Sequence, residues 1–242
     1  MTPAEAMRDE GAAAAPPRSG AAAALLASGW SAMVEGVRGD VAAFHALRFQ
    51  GRRPSWWTRA RVLLGSHGLW VLVVYRVDRC HLLWRPTGWP GRLLKLVLHG
   101  CISVASRTCQ VLTKCDVVPS SGALEPGVYL SDLGYVKLGV RSVGAGTVIH
   151  TRVTLGRGLG GQDKPEIGRR VWIGPGCVIF GGFEVGDGAT LLPGTVLSRS
   201  APPGVVLRGN PAKVVRRGFD NSALRRSLAT DEAAVRAALD GS

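Results

Sequence analysis

Aliphatic residues recur at every sixth position along much of the second half of this chain. Six of them follow one another without a gap: Ile167, Ile173, Ile179, Val185, Leu191 and Leu197. A spacing of six matches neither the 3.6-residue period of a helix nor the two-residue alternation of a strand. It is typical of a chain that turns a corner every six residues, so that three short parallel strands complete one triangular coil. The pattern predicts a parallel β-helix.

The same phase extends upstream of Ile167. Counting back in sixes reaches Gly161, Leu155, Ile149 and Val143. An earlier run, Leu124, Leu130 and Val136, is one residue out of register with Val143, and we interpret the slip as a corner or bulge around residues 137–141. Glycine-rich residues 157–165 keep the phase but interrupt the strand pattern, as expected of a loop that leaves the coil and returns. The β-helix is therefore assigned to residues 117–216.

The residues on either side of the repeats have helical rather than strand patterning. Residues 1–50 are predicted to be disordered at first and weakly helical from about residue 28. Residues 51–116 are predicted to be α-helical: one helix runs from Trp56 to about Trp84, a turn occupies residues 86–91, and a second helix continues to about Lys114. Residues 217–242 are predicted to form two short helices, 220–228 and 230–239, that cap the coil.

The helix that ends near Lys114 is amphipathic. Its apolar face carries Leu93, Val97, Cys101, Val104 and Val111, and its opposite face carries Arg92, Lys95, His99, Ser103, Arg107, Gln110 and Lys114. The basic stripe has two interpretations, a solvated surface or a contact with an anionic membrane or acidic partner. Six of the seven tryptophans lie in the N-terminal part of the chain, which suits a membrane interface, a helical core or a subunit contact.

The chain is strongly basic, with 30 Lys and Arg residues against 17 Asp and Glu residues and a net charge of +13. This balance favours anionic lipid or phosphate-bearing small molecules as partners. Nucleic acid is not expected, because zinc-finger spacing, an aromatic RNA-binding signature and a long basic block are all missing.

Five cysteines without a CxxC pair indicate reduced thiols. No segment approaches the ~20 apolar residues of a membrane span. We expect a cytoplasmic protein, with peripheral membrane contact left open.

Several segments resemble the hexapeptide-repeat acyltransferases, and within them the serine O-acetyltransferases. They are residues 149–156 (IHTRVTLG), 171–178 (VWIGPGCV), 185–190 (VGDGAT) and 209–213 (GNPAK), with residues 74–77 (VYRV), 112–119 (LTKCDVVP) and 126–130 (PGVYL) upstream. The resemblance implies a mainly β fold, a left-handed parallel β-helix with an N-terminal α-helical region and short C-terminal helices. It also implies a homotrimer or larger homo-oligomer with active sites between neighbouring coils, where a hydroxyl attacks acetyl-CoA and a histidine acts as general base.

Two histidine positions of the serine O-acetyltransferases are occupied by other residues in this chain. The coil that follows the start of the β-helix contains Asp132 in place of the family's Asp-His pair, and the protruding loop contains Lys164 before Pro165 in place of its His-Pro pair. His150 is the only histidine within the repeats. Strand alternation points it outward, toward a neighbouring subunit, where an imidazole is able to act as a base at neutral pH.

We therefore assign candidate roles to single residues. His150 is the candidate base, Asp132 orients that base or holds the acceptor, and Lys164 is a candidate substrate contact on the loop with Arg157. The ordinary alternatives are an interface histidine, a turn-forming aspartate and a solvated lysine. By resemblance, the acyl-CoA site is formed by Arg208, Gly209, Pro211, Ala212 and Lys213. Cys177 is interpreted as a packed core thiol.

The leading hypothesis is an acetyl-CoA-dependent O-acetyltransferase, similar to serine O-acetyltransferase, that acetylates a hydroxyl of a small molecule or a glycan. The alternatives are a sugar or polysaccharide O-acetyltransferase and a catalytically inactive trimeric scaffold. A zinc carbonic anhydrase on the same coil is disfavoured, since such a site needs three histidine ligands and the repeats supply only His150. No metal is expected.

Overall fold

The computed structural model describes residues 29–49, 55–86, 88–117, 122–158 and 163–227. Four predictions concern residues outside these ranges. They are the disordered start of the chain, the repeat position Gly161, the tip of the glycine-rich loop (residues 159–162) and the second C-terminal helix at 230–239.

Within the described residues, four helices precede the repeats: α1 Gly29–Phe49, α2 Trp56–Gly65, α3 His67–Leu83 and α4 Trp89–Thr113. The single helix predicted from Trp56 to Trp84 is wrong, because the chain breaks at Ser66 and α2 and α3 are bent by 74°. Ser66 has extended backbone angles and its hydroxyl donates to Val62 O at 2.8 Å. The nearby glycines Gly65 and Gly68 weaken helical continuity further.

Among the described residues, no single helix has the length and apolar composition to cross a membrane, although the bent pair α2 and α3 together passes that test.

Fifteen short strands follow in the part of the chain that the structure describes. They are β1 Asp116–Val117, β2 Ala123–Leu124, β3 Tyr129–Leu130, β4 Lys137–Leu138, β5 Ser142–Val143, β6 Val148–Ile149, β7 Thr154–Gly156, β8 Glu166–Ile167, β9 Trp172–Ile173, β10 Val178–Phe180, β11 Glu184–Val185, β12 Thr190–Leu191, β13 Val196–Leu197, β14 Val206–Arg208 and β15 Lys213–Arg216.

The strands form three sheets, and every third strand belongs to the same sheet. Sheet A has the order β1-β4-β7-β10-β13, sheet B the order β11-β8-β5-β2, and sheet C the order β15-β14-β12-β9-β6-β3. All neighbours are parallel except β14 and β15. Coil 1 therefore comprises β1–β3, coil 2 β4–β6, coil 3 β7–β9 and coil 4 β10–β12. The predicted parallel β-helix is confirmed.

The inside of the prism is filled by the aliphatic residues of the hexads. Ile149, Ile173, Leu191 and Leu207 are aligned in sheet C, and each is almost fully buried. Cys177 lies in this core, with its Sγ 3.2 Å from Leu192 O, and burial raises the pKa of its thiol to about 12. The thiol is therefore packed and protonated, as the sequence indicated.

The register slip arises at two corners, and only the second of them lies at the corner or bulge that we predicted around residues 137–141. Leu130 pairs with Ile149 and Leu138 pairs with Leu155, so eight residues separate the inward positions of coils 1 and 2 where the next coils have six. The corner from residue 131 to 136 thus contains two extra residues. The following corner is one residue short, since Val143 comes five residues after Leu138. Together these changes produce the single-residue slip.

A buried ion pair joins the helices to the first coil. Arg76 on α3 donates through Nε to Asp40 on α1 at 3.0 Å, and through Nη1 to Leu124 O at 2.6 Å. Asp40 also accepts from Gly127 N at 2.9 Å. Next to this pair, the Tyr75 hydroxyl donates to Gly122 O at 2.7 Å. These contacts explain the VYRV segment: its two polar side chains hold the helices against the coil.

The apolar face predicted for α4 is exposed to solvent. Leu93, Val97, Val104 and Val111 are all more than half exposed. The predicted basic face instead lies partly against α3: His99 stacks on His81 with ring centroids 5.4 Å apart, and the Lys95 ammonium donates to Trp84 O. Most of the stripe is nevertheless solvated, as one of its two interpretations holds, since Arg92, His99, Ser103, Arg107 and Lys114 are exposed.

One of the two predicted C-terminal helices lies within the described residues, as α5 Ser222–Ser227. Asn221, just before it, donates to Arg170 O at 2.9 Å and to Gly188 O at 3.1 Å. Because these carbonyls belong to successive coils, α5 is fastened along the side of the prism.

Candidate functional site

The enlarged corner between β3 and β4, residues 131–136, holds Asp132. Gly134 and Tyr135 in this corner both have positive φ, which lets the two extra residues turn without leaving the coil. The Asp132 carboxylate accepts from Arg48 Nη2 at 3.0 Å and from Gly68 N at 3.2 Å. The side chain is thus held by the end of α1 and by the first turn of α3, where amide hydrogens favour an anion.

His150 follows β6, at the same corner of the next coil. Ser131 N donates to Ile149 O at 2.9 Å, so the two corners are neighbours in the sheet. Adjacent strands are about 4.8 Å apart, which brings Asp132 and His150 to the same edge of the prism. The structure therefore brings together two residues that are 18 positions apart in the sequence.

The imidazole of His150 is buried, not exposed on the flank as expected. Its ring packs edge-on against Trp172 of the next coil, with centroids 4.9 Å apart, and only 2% of the residue is exposed. Within the described part of the chain, its Nε2 has no hydrogen-bond partner. Burial lowers the pKa of His150 to about 4. The imidazole is consequently neutral at pH 7 and has an unused nitrogen, but it is a weaker base than an exposed histidine.

Trp172 Nε1 and Thr190 Oγ1 are also buried and lack a hydrogen-bond partner among the described residues. Trp172 and Thr190 are paired in adjacent strands of sheet C, next to His150. The sequence analysis did not select either residue, because Trp and Thr at the outward position of a hexad are ordinary strand residues.

The glycine-rich loop returns to the coil at residues 163–165. Its base is anchored by Arg141, which pairs with Asp163 at 3.1 Å and with Glu166 at 2.9 Å. Burial and the nearby Arg157 guanidinium lower the pKa of Lys164. The two predicted loop cations therefore lie close to each other, an arrangement that suits an anionic group.

The residues predicted to contact acyl-CoA meet in one tight turn. Arg208 ends β14 and Lys213 begins β15, and the two are directly paired across the antiparallel strands. The turn between them contains Gly209, whose φ is +96°, and a cis bond before Pro211. Ala212 is buried, and its N–H donates to Val196 O at 2.9 Å. Two exposed cations thus flank a tight turn, an arrangement that suits a phosphate-bearing cosubstrate.

A cavity of about 440 Å³ lies beside the Asp132 corner. It is lined by Arg48, Trp57, Thr58, Arg61, Val62 and Gly65. Sequence reasoning missed this cavity and missed Arg48 as the partner of Asp132, because 84 positions separate the two residues. The only sign of the cavity in the sequence was that Trp56 and Trp57 are flanked by arginines, namely Arg52, Arg53, Arg59 and Arg61.

A metal site is not formed by the described residues, which contain no group of three or more His, Cys, Asp or Glu side chains placed to bind an ion. All five cysteines are free thiols.

The chain is similar in sequence to known serine acetyltransferases. Serine acetyltransferase 2 of Arabidopsis thaliana is 33% identical over 173 residues, which cover 69% of this chain and 49% of the plant protein. The chain spans about half the length of the curated relatives it matches first. No protein-family model matches it.

Solved structures share its fold. Serine acetyltransferase from Vibrio cholerae superimposes with a TM-score of 0.63 at 23% identity, covering 84% of this chain and 72% of that protein. The Brucella abortus enzyme, solved in complex with coenzyme A, has a TM-score of 0.59 at 21% identity over 76% of this chain and 68% of its own. The coil is accordingly the left-handed β-helix, with an N-terminal helical region. By its repeats, its coil and these relatives, the chain is similar to the serine acetyltransferases, which are hexapeptide-repeat acyltransferases.

Proposed function

We propose that the protein is an acetyl-CoA-dependent O-acetyltransferase. The observation that carries the proposal is the corner of the β-helix where Asp132, fixed by Arg48 and Gly68, lies one coil from the unpartnered Nε2 of His150. The family resemblance supplies the reaction class, and the basic turn from Arg208 to Lys213 supports a phosphate-bearing cosubstrate. Acetyl-CoA is the cosubstrate in this proposal, and the reaction needs no metal.

In the proposed reaction, the oxygen of an acceptor hydroxyl attacks the carbonyl carbon of the acetyl thioester. A C–O bond forms, the C–S bond breaks, and coenzyme A leaves as a thiolate. The hydroxyl proton passes to His150 Nε2 and then to the departing sulfur, so that free thiol is the second product. Asp132 holds the acceptor or the imidazole in place.

The acceptor is serine or, as a second candidate, a sugar or polysaccharide hydroxyl. Serine follows from the names of the relatives. The second candidate is favoured by the missing histidine of the Asp-His pair at Asp132, by Lys164 in place of the loop histidine, and by the cavity beside the corner, which is lined in part by Trp57.

We further propose a cytoplasmic homotrimer whose active sites lie between neighbouring coils, with peripheral membrane contact through α4. The α4 surface defined by Trp89, Leu93, Leu96 and Val97 is exposed, and α4 carries Arg92, Lys95 and Arg107 with no carboxylate. Such a surface suits an anionic bilayer.

Thiol release from acetyl-CoA, measured with serine and with sugar acceptors, tests the proposed activity. The expected result is turnover by the wild type and a loss of at least a hundredfold in kcat for His150→Ala, as for removal of a general base. His99→Ala, at an exposed histidine on α4, is the control. Unchanged turnover in His150→Ala removes its role as base, and absence of wild-type turnover with every acceptor supports the inactive trimeric scaffold instead.

A further inference from the structure

The cavity beside the Asp132 corner has the chemistry of a carbohydrate site with a preference for negative charge. We propose that it binds the acceptor, and that the acceptor is a sugar carrying a carboxylate or phosphate, such as a hexuronic acid unit. This inference rests on the proposed acetyl transfer for the use of the site, but the binding itself is independent of catalysis.

An aromatic surface forms one wall of the cavity. Trp57 is 68% exposed, and its ring stacks on Trp56 with centroids 3.8 Å apart. Trp57 lines the cavity, so its indole offers an apolar ring to a ligand there. Such a surface suits the C–H face of a pyranose ring, while the hydroxyls at the sugar's edge stay in water.

Two arginines supply the positive charge. The side chain of Arg61 makes no hydrogen bond or ion pair with another residue in the described ranges. The side chain of Arg48 is 45% exposed although its Nη2 bonds Asp132. A guanidinium has five N–H donors, so Arg48 is able to bind Asp132 and a ligand together. The described residues that line the cavity include no carboxylate. The matching ligand group is therefore a carboxylate or a phosphate, which arginine binds through paired hydrogen bonds.

The cavity is connected to the candidate catalytic corner by two routes. Arg48 lines the cavity and binds the Asp132 carboxylate. Gly65 also lines it, three residues before Gly68, whose N–H binds the other carboxylate oxygen. A sugar held on Trp57 with its anionic group on the arginines thus lies next to Asp132. This position is consistent with presenting a hydroxyl for acetylation.

The test compares matched ligands without acetyl-CoA. Binding of methyl glucuronide, methyl glucoside and glucose 6-phosphate to the full chain is measured by calorimetry or saturation-transfer NMR. We expect the glucuronide to bind at least tenfold more tightly than the glucoside, and the glucose 6-phosphate arm decides between carboxylate and phosphate. Arg61→Gln should remove this preference, and Trp57→Ala should weaken both sugars. Arg92→Gln and Trp89→Ala, on α4, are the matched controls for charge and for aromatic surface.

Equal binding of charged and neutral sugars, or equal loss in the α4 controls, overturns the proposal. Binding of the chain to phosphatidylglycerol vesicles that depends on Trp57 and Arg61, with no binding of any soluble sugar, assigns the cavity to a lipid headgroup and also overturns it. Acetyl transfer to an acceptor that is unaffected by Arg61→Gln and Trp57→Ala refutes the cavity while leaving the O-acetyltransferase intact. Conversely, charge-selective binding without turnover supports the cavity and refutes the activity.

Discussion

His150 is the residue whose surroundings matter most for the proposed chemistry. Its Nε2 is buried against Trp172 without a hydrogen-bond partner in the described residues, and its pKa is about 4. Sequence reasoning identified the histidine as the only one in the repeats. The sequence did not predict that the imidazole is buried. Its burial depends on Trp172 of the next coil, and the register between the two coils decides that Trp172 lies beside it.

Protonation of His150 should destabilise the fold. The pKa of the unfolded histidine is 6.5 and that of the folded one about 4, so the unfolded chain binds the extra proton between these values. The contribution to stability is present above pH 6.5 and is lost as the pH falls toward 4, by about 3 kcal/mol in total. Urea unfolding at pH 7.5, 6, 5 and 4.5 measures it, with His150→Leu expected to lack this part of the slope. The same pH dependence in both proteins contradicts the assignment.

At the level of elements, the Asp132 corner depends on a close approach of α4 to the coil. A Cβ on Gly134 would lie 2.1 Å from Thr113 O, at the end of α4. Gly194 is at the same corner of a later coil, also has positive φ, and would meet nothing within 4 Å.

Gly134→Ala should therefore cost more stability than Gly194→Ala. Both substitutions force alanine into a left-handed conformation, which costs about 1 kcal/mol. Only Gly134→Ala also places a Cβ against a backbone oxygen. We therefore expect its loss in the free energy of unfolding to exceed that of Gly194→Ala by about 1–3 kcal/mol, a usual cost of a substitution that the native backbone does not accommodate. Thermal unfolding of the two variants is the measurement. Equal losses of stability in the two variants would mean that α4 moves away from the corner at little energetic cost.

The pair Asp40 and Arg76 joins two helices to the first coil and is almost fully buried. Burial raises the pKa of Asp40, although the guanidinium acts in the opposite direction. Asp40→Ala leaves Arg76 charged in a buried site, and we expect a loss of about 3–5 kcal/mol in the free energy of unfolding.

The double variant Asp40→Ala with Arg76→Met should be more stable than Asp40→Ala alone, because it removes the unpaired charge. Denaturant titration of the two single variants and the double variant gives the coupling between them. A double variant that loses the sum of both single losses shows that the two side chains act separately.

At the scale of the molecule, a net charge of +13 and an exposed apolar α4 make anionic membranes the expected contact. The chain should sediment with phosphatidylglycerol vesicles but not with phosphatidylcholine vesicles, and less so at high salt because ions screen the attraction. The double variant Leu93→Ser and Leu96→Ser should reduce binding, whereas Val215→Ser, exposed on β15, should not. Self-association through α4 without vesicle binding is the contrary result.

The β-helix was predictable from the amino-acid order alone, since the six-residue period follows from the geometry of the coil and recurs along the chain. The buried thiol of Cys177 was predictable for the same reason, because its place in a hexad puts it in the core. The break at Ser66, the exposed face of α4, the extra residues at the Asp132 corner and the contact of Asp132 with Arg48 became visible only in the folded chain. Each depends on contacts between segments far apart in the chain, and no local pattern of hydrophobic and polar residues encodes which distant surface a side chain meets.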